Sequence, residues 1–274
     1  MARIESLNVL LTDSGKVYLA EQYGAVIENI QKGTIASALK NTNLSGTPGA
    51  GSYEAKRFVN RTSNAYGTAR SGGKGQAVKA NPVTVKVDTD KELVTEVEQK
   101  DVSLIGIDGF IERQVAMDQK SMARELERAF FSAAATAGSL VELTGITDAC
   151  EKVEKLIQSV ETVNNDYVDG VERDMIAVVC TPAMYAAMRT YFDKVQGGDA
   201  AAASFGTYHG VRVYSSTYLP AGTNIIAMAE GAVAQPVLPT IVPAERIQLS
   251  NAIGFGIFYS YGTTAVMPDL IFKA

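Results

Sequence analysis

From Tyr53 to Val87 the chain carries seven basic residues, Lys56, Arg57, Arg61, Arg70, Lys74, Lys79 and Lys86, against a single acid, Glu54. The next fourteen residues reverse the sign, with Asp88, Asp90, Glu92, Glu96, Glu98 and Asp101 against Lys91 and Lys100. The local charges are +6 and −4, in a chain whose net charge is only −5. Blocks of this kind cannot be buried in a common core, because a charge taken out of water must find a partner. The segment therefore stays at a surface. Its two blocks can pair within one hairpin as solvated ion pairs worth about 0 to 1 kcal/mol each. Alternatively, they can match a neighbouring copy of the chain, where complementarity sets register more than affinity.

Alternation supplies the local structure. Tyr53 to Asn60 and Val83 to Val97 read as extended strands. Val83, Val85 and Val87 share one face, and further on Leu93, Thr95 and Val97 oppose Glu92, Val94, Glu96 and Glu98. Between them Asn64 to Gln76 is polar and glycine-rich, and Ser45 to Ser52, with Pro48 and three glycines, reads as a turn or hinge. The segment describes a long two-stranded excursion with a flexible tip. A ribbon of two strands is marginal in water by itself, so something else must hold it, and a neighbouring copy is the economical candidate.

The remaining chain reads as α+β. Val17, Ala20, Tyr23, Ile27 and Ile30 recur at helical spacing. Gly109 to Ala137 predicts the longest helix, with an apolar face of Phe110, Val115, Met117, Met122, Leu126, Ala129 and Phe130. Its opposite positions carry Glu112, Arg113, Asp118, Lys120, Arg124, Glu125, Glu127 and Arg128. At about 1.5 Å per residue it would be roughly 40 Å long, a spine. Thr147 predicts the cap of a helix running to Val163, Met175 to Cys180 a central strand, and Thr181-Pro182 the start of a helix through Phe192. Gln196 to Ser204 reads as a loop or frayed helix. Further strands are predicted at Val211 to Ser215, Asn224 to Met228, Glu245 to Leu249 and Phe255 to Val266. There is no regular βαβ repeat.

With 46% apolar and 20% charged residues the composition is that of a globular protein. No apolar run is long enough to span a bilayer and no signal pattern opens the chain, so the expectation is a cytoplasmic protein. Cys150 and Cys180 sit in apolar surroundings and read as small reduced core residues. The acidic balance argues against general nucleic-acid binding. Chemistry is thinly supplied. The single histidine, His209, reads as a turn residue, and two isolated cysteines cannot complete a zinc site. Gly72-Gly73-Lys74-Gly75 fails as a phosphate loop, because Thr68 replaces the first glycine and Gly75 the final Ser/Thr. Gly49-Ala50-Gly51 and Gly254-Phe255-Gly256 lack the third glycine of a dinucleotide fingerprint, where Glu54 and Tyr259 stand. The reading is a non-enzyme, with no catalytic residue, cofactor or metal.

The order of segments, and the wording of several, resembles the major capsid proteins of tailed bacteriophages, most closely those of phages of Gram-positive bacteria. The resemblance rests on Gly51-Ser52-Tyr53-Glu54-Ala55-Lys56-Arg57-Phe58, Tyr66-Gly67-Thr68-Ala69-Arg70, Gly73-Lys74-Gly75, Val83 to Asp101, and Met122-Ala123-Arg124-Glu125-Leu126-Glu127-Arg128-Ala129-Phe130-Phe131. It implies an α+β chain with the Hong Kong ninety-seven type fold. Residues 1–45 would be an N-terminal arm and 46–101 an extended loop. Residues 102–145 would be a peripheral domain built on a spine helix at 107–137 and completed by part of 245–274, and 146–244 an axial domain. Lys56, Arg57, Arg61, Arg70, Lys74, Lys79, Glu92, Glu96 and Glu98 would make intersubunit contacts, and Gly197, Gly198 and Asp199 would face the capsomer axis.

The implied function is an icosahedral shell, built of hexamers and pentamers of this chain, that encloses phage double-stranded DNA without binding it specifically. Implied partners are scaffolding, portal and decoration proteins, with no membrane. About 45 residues precede the loop and the chain opens on Met1, which points to a separate scaffolding protein. Some relatives join a loop lysine to an asparagine on another subunit with the help of an acid. Lys74 and Asn251 lie in the corresponding regions, but no acid occurs between Asn251 and Asp269, so that reaction is not expected. An encapsulin-type nanocompartment shell and, from another class, a soluble α+β enzyme are the rival readings.

Overall fold

The computed structural model describes residues 6–45, 51–72, 75, 77–102, 106–196 and 206–274. Its helices are α1 (Asp13–Gly33), α2 (Ile35–Leu39), α3 (Thr68–Gly72), α4 (Gln99–Val102), α5 (Ile107–Ala137), α6 (Ala149–Glu161) and α7 (Pro182–Gln196). The strands of the first half are β1 (Ser52–Phe58), β2 (Ala80–Lys86) and β3 (Thr89–Val97). After α5 come β4 (Ser139–Leu140), β5 (Ile176–Cys180), β6 (Thr207–Tyr208), β7 (Val211–Ser215), β8 (Ile225–Ala229) and β9 (Val233–Ala234). The last are β10 (Val237–Arg246), β11 (Ile253–Tyr261), β12 (Thr264–Ala265) and β13 (Ile271–Lys273). No helix of the described residues is long and apolar enough to cross a membrane.

The chain divides into two compact units, the first comprising Met1–Ala38, Val87–Glu127 and Pro236–Gly262. In it β10, β11 and β3 form an antiparallel sheet in that order. α1 begins where the Thr12 hydroxyl accepts from the Gly15 N–H at 3.3 Å, and it buries Leu19, Tyr23, Val26 and Ile30. Only Tyr23 and Ile30 belong to the stripe expected from the sequence; Val17 and Ala20 are exposed. On α5, Ile111, Val115, Met122 and Leu126 are buried while Met117 is exposed. Asp118 and Glu127, expected on the solvent side, are buried as well. Each is kept there by a donor from the N-terminal segment. The Tyr23 hydroxyl donates to Asp118 Oδ2 at 2.8 Å, and the Ile35 N–H donates to Glu127 Oε1 at 2.8 Å. Burial raises both carboxyls above the ordinary range, against the opposing pull of those hydrogen bonds.

The second unit comprises Leu39–Lys86, Arg128–Gln235 and Thr263–Ala274. Its six-stranded sheet runs β4-β13-β8-β5-β7-β6, with β5 parallel to β7 and antiparallel to β8. Every residue of β5 is buried, as the continuous apolar run predicted. α6 packs on β5, β8 and β13, and α7 on β5 and β7. The α6 cap is Asp148 rather than Thr147, its Oδ1 accepting from the Cys150 and Glu151 N–H groups. Cys150 and Cys180 are free and buried, and loss of hydration pushes their thiols up to about 11 and about 12, where the reactive thiolate is scarce at neutral pH.

Two further expectations fail. The predicted strand at Glu245 to Leu249 is instead the end of β10 followed by a turn in which Leu249 has φ 61. Pro239 and Pro243 hid β10 from the sequence. It is an edge strand, where a missing N–H costs no ladder bond, and Pro243 falls where the register shifts between Val242 and Glu245. The acidic strand also does not continue the hairpin. β2 pairs with β1, whereas β3 pairs with β11, so the expected 46–101 loop is divided at Val87 between the two units.

Candidate functional site

Opposed residues of an antiparallel pair share a face, so the β1–β2 register sorts the hairpin into two surfaces. Tyr53 opposes Val85, Ala55 opposes Val83 and Arg57 opposes Asn81 on one; Glu54 opposes Thr84, Lys56 opposes Pro82 and Phe58 opposes Ala80 on the other. The first surface is seated in the second unit. Ala55 and Val85 join Ala234 and Val266 in a buried cluster, with Leu44, Tyr53, Val83 and Met267 packed around it. Ser45 and Glu54 exchange backbone hydrogen bonds of 2.9 and 2.7 Å beside it.

Polar groups continue the anchor. Arg57 Nη2 donates to Asp269 Oδ2 at 2.7 Å, and its guanidinium carbon stands 4.1 Å from the centre of the Tyr167 ring. Asn165 Nδ2 donates to the same Asp269 oxygen at 3.3 Å. Asn81, directly across from Arg57, donates its side-chain amide to the Tyr167 hydroxyl. The Asn60 N–H donates to the Asp166 carbonyl at 2.7 Å. One planar cation is thus clamped between a carboxylate and an aromatic face, a combination that arginine meets and lysine does not.

The sequence reading offered Arg57 for contact with a neighbouring subunit; within its own chain the side chain is engaged by Asp269 and Tyr167. The arm's base is held by its own chain, through residues that no local pattern marks, since Asp269 lies 212 positions away. The opposite surface stays uncovered. There Lys56 and Phe58 are exposed, Phe58 at 59%, and beyond the paired strands so are Arg61, Arg70, Lys79, Tyr66 and Val78, with Tyr66 at 99% and Val78 at 66%. Lys74 lies outside the described residues, as do Gly197, Gly198 and Asp199.

The acidic candidates belong to the first unit. Glu92 and Glu96 are exposed on β3, while Glu98 is half-buried and pairs with Lys100 at 2.7 Å. Lys91 projects to the other side of β3 and pairs with Glu125 at 3.2 Å, where the Tyr261 hydroxyl also donates at 3.1 Å. Burial and that carboxylate push the Tyr261 phenol up to about 12.

Among the described residues no group of three or more His, Cys, Asp or Glu side chains is arranged to hold a metal ion. His209 occupies the turn expected of it. With Gly210 it joins β6 to β7, and both have positive φ, 46 and 91, as a two-residue type I′ hairpin loop requires.

No protein-family model matches the sequence, and no curated protein does. Solved structures match over most of the chain. A chain of Mycobacterium phage Che8 is 18% identical, covers 88% of this chain and 90% of that one, and has a TM-score of 0.64. The capsid of cyanophage P-SCSP1u is 14% identical over 88% of each chain, also with a TM-score of 0.64. A virus-like particle from Pyrococcus furiosus is 11% identical over 93% of this chain and 98% of that one, with a TM-score of 0.60. The chain has the α+β fold of phage capsids, which is the fold class its sequence resemblance implied.

Proposed function

We propose that this chain is a major capsid protein, a structural subunit whose copies self-assemble into an icosahedral shell around phage double-stranded DNA. The observation that carries the reading is the anchored arm. Its base is fixed by Arg57, Asp269 and Tyr167, while Lys56, Phe58, Tyr66 and Val78 are left in water. An arm that is aimed by its own subunit, with apolar side chains that its own subunit does not cover, suits contact with another copy. The shared fold with phage capsids supports the same reading.

On this reading residues 1–45 form the N-terminal arm and the hairpin within 46–101 forms the extended loop. Residues 102–145, with α5 as spine and part of 245–274, form the peripheral domain, and 146–244 the axial domain, with Gly197, Gly198 and Asp199 at the capsomer axis. Lys56, Arg61, Arg70, Lys74, Lys79, Glu92, Glu96 and Glu98 contribute intersubunit contacts. Hexamers and pentamers form in the bacterial cytoplasm with scaffolding and portal proteins, and decoration proteins bind the finished virion. The acidic chain encloses DNA without gripping its phosphates. The role requires no catalysis and no cofactor.

The second reading is an encapsulin-type nanocompartment shell, since the fold is shared by a virus-like particle as well as by phage capsids. Electron microscopy and light scattering of the chain, expressed alone and with the protein encoded immediately upstream, test both. Shells, tubes or capsomer rings are expected, and packaged DNA separates a capsid from a compartment holding protein cargo. A uniformly small species under both conditions overturns the proposal.

A further inference from the structure

Among the described residues two charged side chains are buried, Asp118 and Glu127, at 5% and 8% exposure. Both stand on α5 and both are held from the N-terminal segment. The Tyr23 hydroxyl and the Gln114 amide donate to separate oxygens of Asp118, at 2.8 and 3.1 Å, and the Ile35 N–H donates to Glu127 at 2.8 Å. Nine residues at about 100° each put the two carboxyls on opposite sides of the helix, so the segment engages the spine from both. All three donors are neutral. The cations of this stretch are engaged elsewhere or lie in water. Lys91 pairs with Glu125 at 3.2 Å, Arg124 donates to the Ser121 hydroxyl at 3.3 Å, and Arg128 stands 5.7 Å from the Tyr218 ring centre. Arg113 and Lys120 are exposed. On α1, Tyr18 lies in the field of Asp108 and Glu112, and Lys32 pairs with Glu28.

A buried carboxylate held by neutral donors alone keeps much of its desolvation cost, and the neutral acid avoids it. Neutralisation loses little here, because each acid keeps a carbonyl oxygen to accept and Gln114 can turn its amide oxygen to take the added proton. The start of the segment is tied down by contacts that these acids do not control. Leu7 and Leu10 are buried, the Leu7 N–H donates to Gln99 Oε1 at 2.7 Å, and Arg246 donates to Asn8 Oδ1 at 2.9 Å. We propose that Asp118 and Glu127 form a pH-sensitive latch, which holds α1 and α2 on the spine helix while protonated and loosens them on ionisation, with Leu7–Leu11 staying attached. The upward displacement of both carboxyls by burial has the matching sign, since a raised group supports the fold at low pH and withdraws that support as pH rises through its folded value. The latch goes beyond the shell-subunit reading and does not rest on it.

Amide hydrogen exchange of the unassembled full chain between about pH 5 and pH 8, corrected for the base catalysis of exchange itself, tests this. Protection of residues 13–39 is expected to fall with rising pH by about threefold or more relative to β11, the middle strand of the sheet in the same unit. Asp118→Asn combined with Glu127→Gln, which keeps shape and removes the titration, should abolish that difference. Tyr23→Phe removes a donor that favours the charged form of Asp118 and should enlarge it. The tyrosine variant and the parent decide the matter alone if the double variant does not fold. No pH difference in the parent, an undiminished one in the folded double variant, or a loss of protection in Tyr23→Phe that is equal at every pH would overturn the latch. Particle formation is not what this experiment reads, so each of those results leaves the shell reading standing.

Discussion

Arg57 and Asp118 show how single side chains fix the local packing of this chain, and each makes a measurable claim. Arg57 combines a charge-assisted hydrogen bond to Asp269 with stacking on Tyr167. Arg57→Ala should therefore cost about 1–3 kcal/mol of subunit stability in a denaturant melt, and Arg57→Lys, which keeps charge but loses the fork and the stacking, should fall between. A melt unchanged by Arg57→Ala would remove the anchor. Asp118 makes a claim about pH. Its carboxyl is raised by burial above its ordinary value of 3.8, with Tyr23 and Gln114 pulling the other way. A carboxyl whose folded value is raised favours the fold while protonated. Its contribution is complete below the unfolded value and is lost as pH rises through the folded one. Asp118→Asn should flatten that loss, so that the variant's stability falls less than the parent's between about pH 4 and neutrality. A parallel pair of stability–pH curves would contradict it. Neither residue announced itself in the sequence. Asp118 lies among charged neighbours on a helix, and Arg57 is one of seven basic residues in its block.

At the scale of elements, legibility followed the range of the interactions involved. The spine helix and β5 were readable because each is a continuous local pattern, a helical stripe in one case and an unbroken apolar run in the other. The division between β2 and β3 was not, because alternation continues on both sides of Asp88 and pairing is decided by partners far along the chain, β1 on one side and β11 on the other. β13 was missed for a related reason. It is three residues long, and its place beside β8 depends on the sheet already being formed. The β11–β3 contact yields a sharp test. A Cβ on Gly256 would stand 2.1 Å from the Leu93 carbonyl oxygen, a backbone atom that cannot rotate away. Gly256→Ala should therefore cost about 3 kcal/mol, the upper end of overpacking penalties. Gly24→Ala, at a helical position with nothing within 4 Å, should stabilise instead, by roughly 0.5–1 kcal/mol. Equal melting temperatures for the two variants would show that β3 does not lie against β11 at this register.

For the whole molecule, the sequence showed that charge was separated but not how. The two blocks could have cancelled inside one hairpin; instead β2 and β3 part company, and each carries its charge to a different unit. On the proposed shell-subunit reading, that separation matters for assembly kinetics. Attraction between a basic arm and an acidic sheet face acts over about 10 Å at 0.1 M salt but only about 3 Å at 1 M, so added salt weakens the approach of two copies before they touch. Once they are in contact, burial of the exposed apolar side chains of the hairpin, Phe58, Tyr66 and Val78, is insensitive to screening and is strengthened by excluded salts. The two effects predict different responses. The initial rate of light scattering should fall by about tenfold or more between roughly 0.05 and 0.5 M sodium chloride, as electrostatically steered association does. The final particle yield should change much less. A rate that is flat with salt while the yield is high would show that apolar contact alone drives encounter. A yield that collapses together with the rate would show that charge pairs, rather than the apolar patch between them, hold the assembled contact.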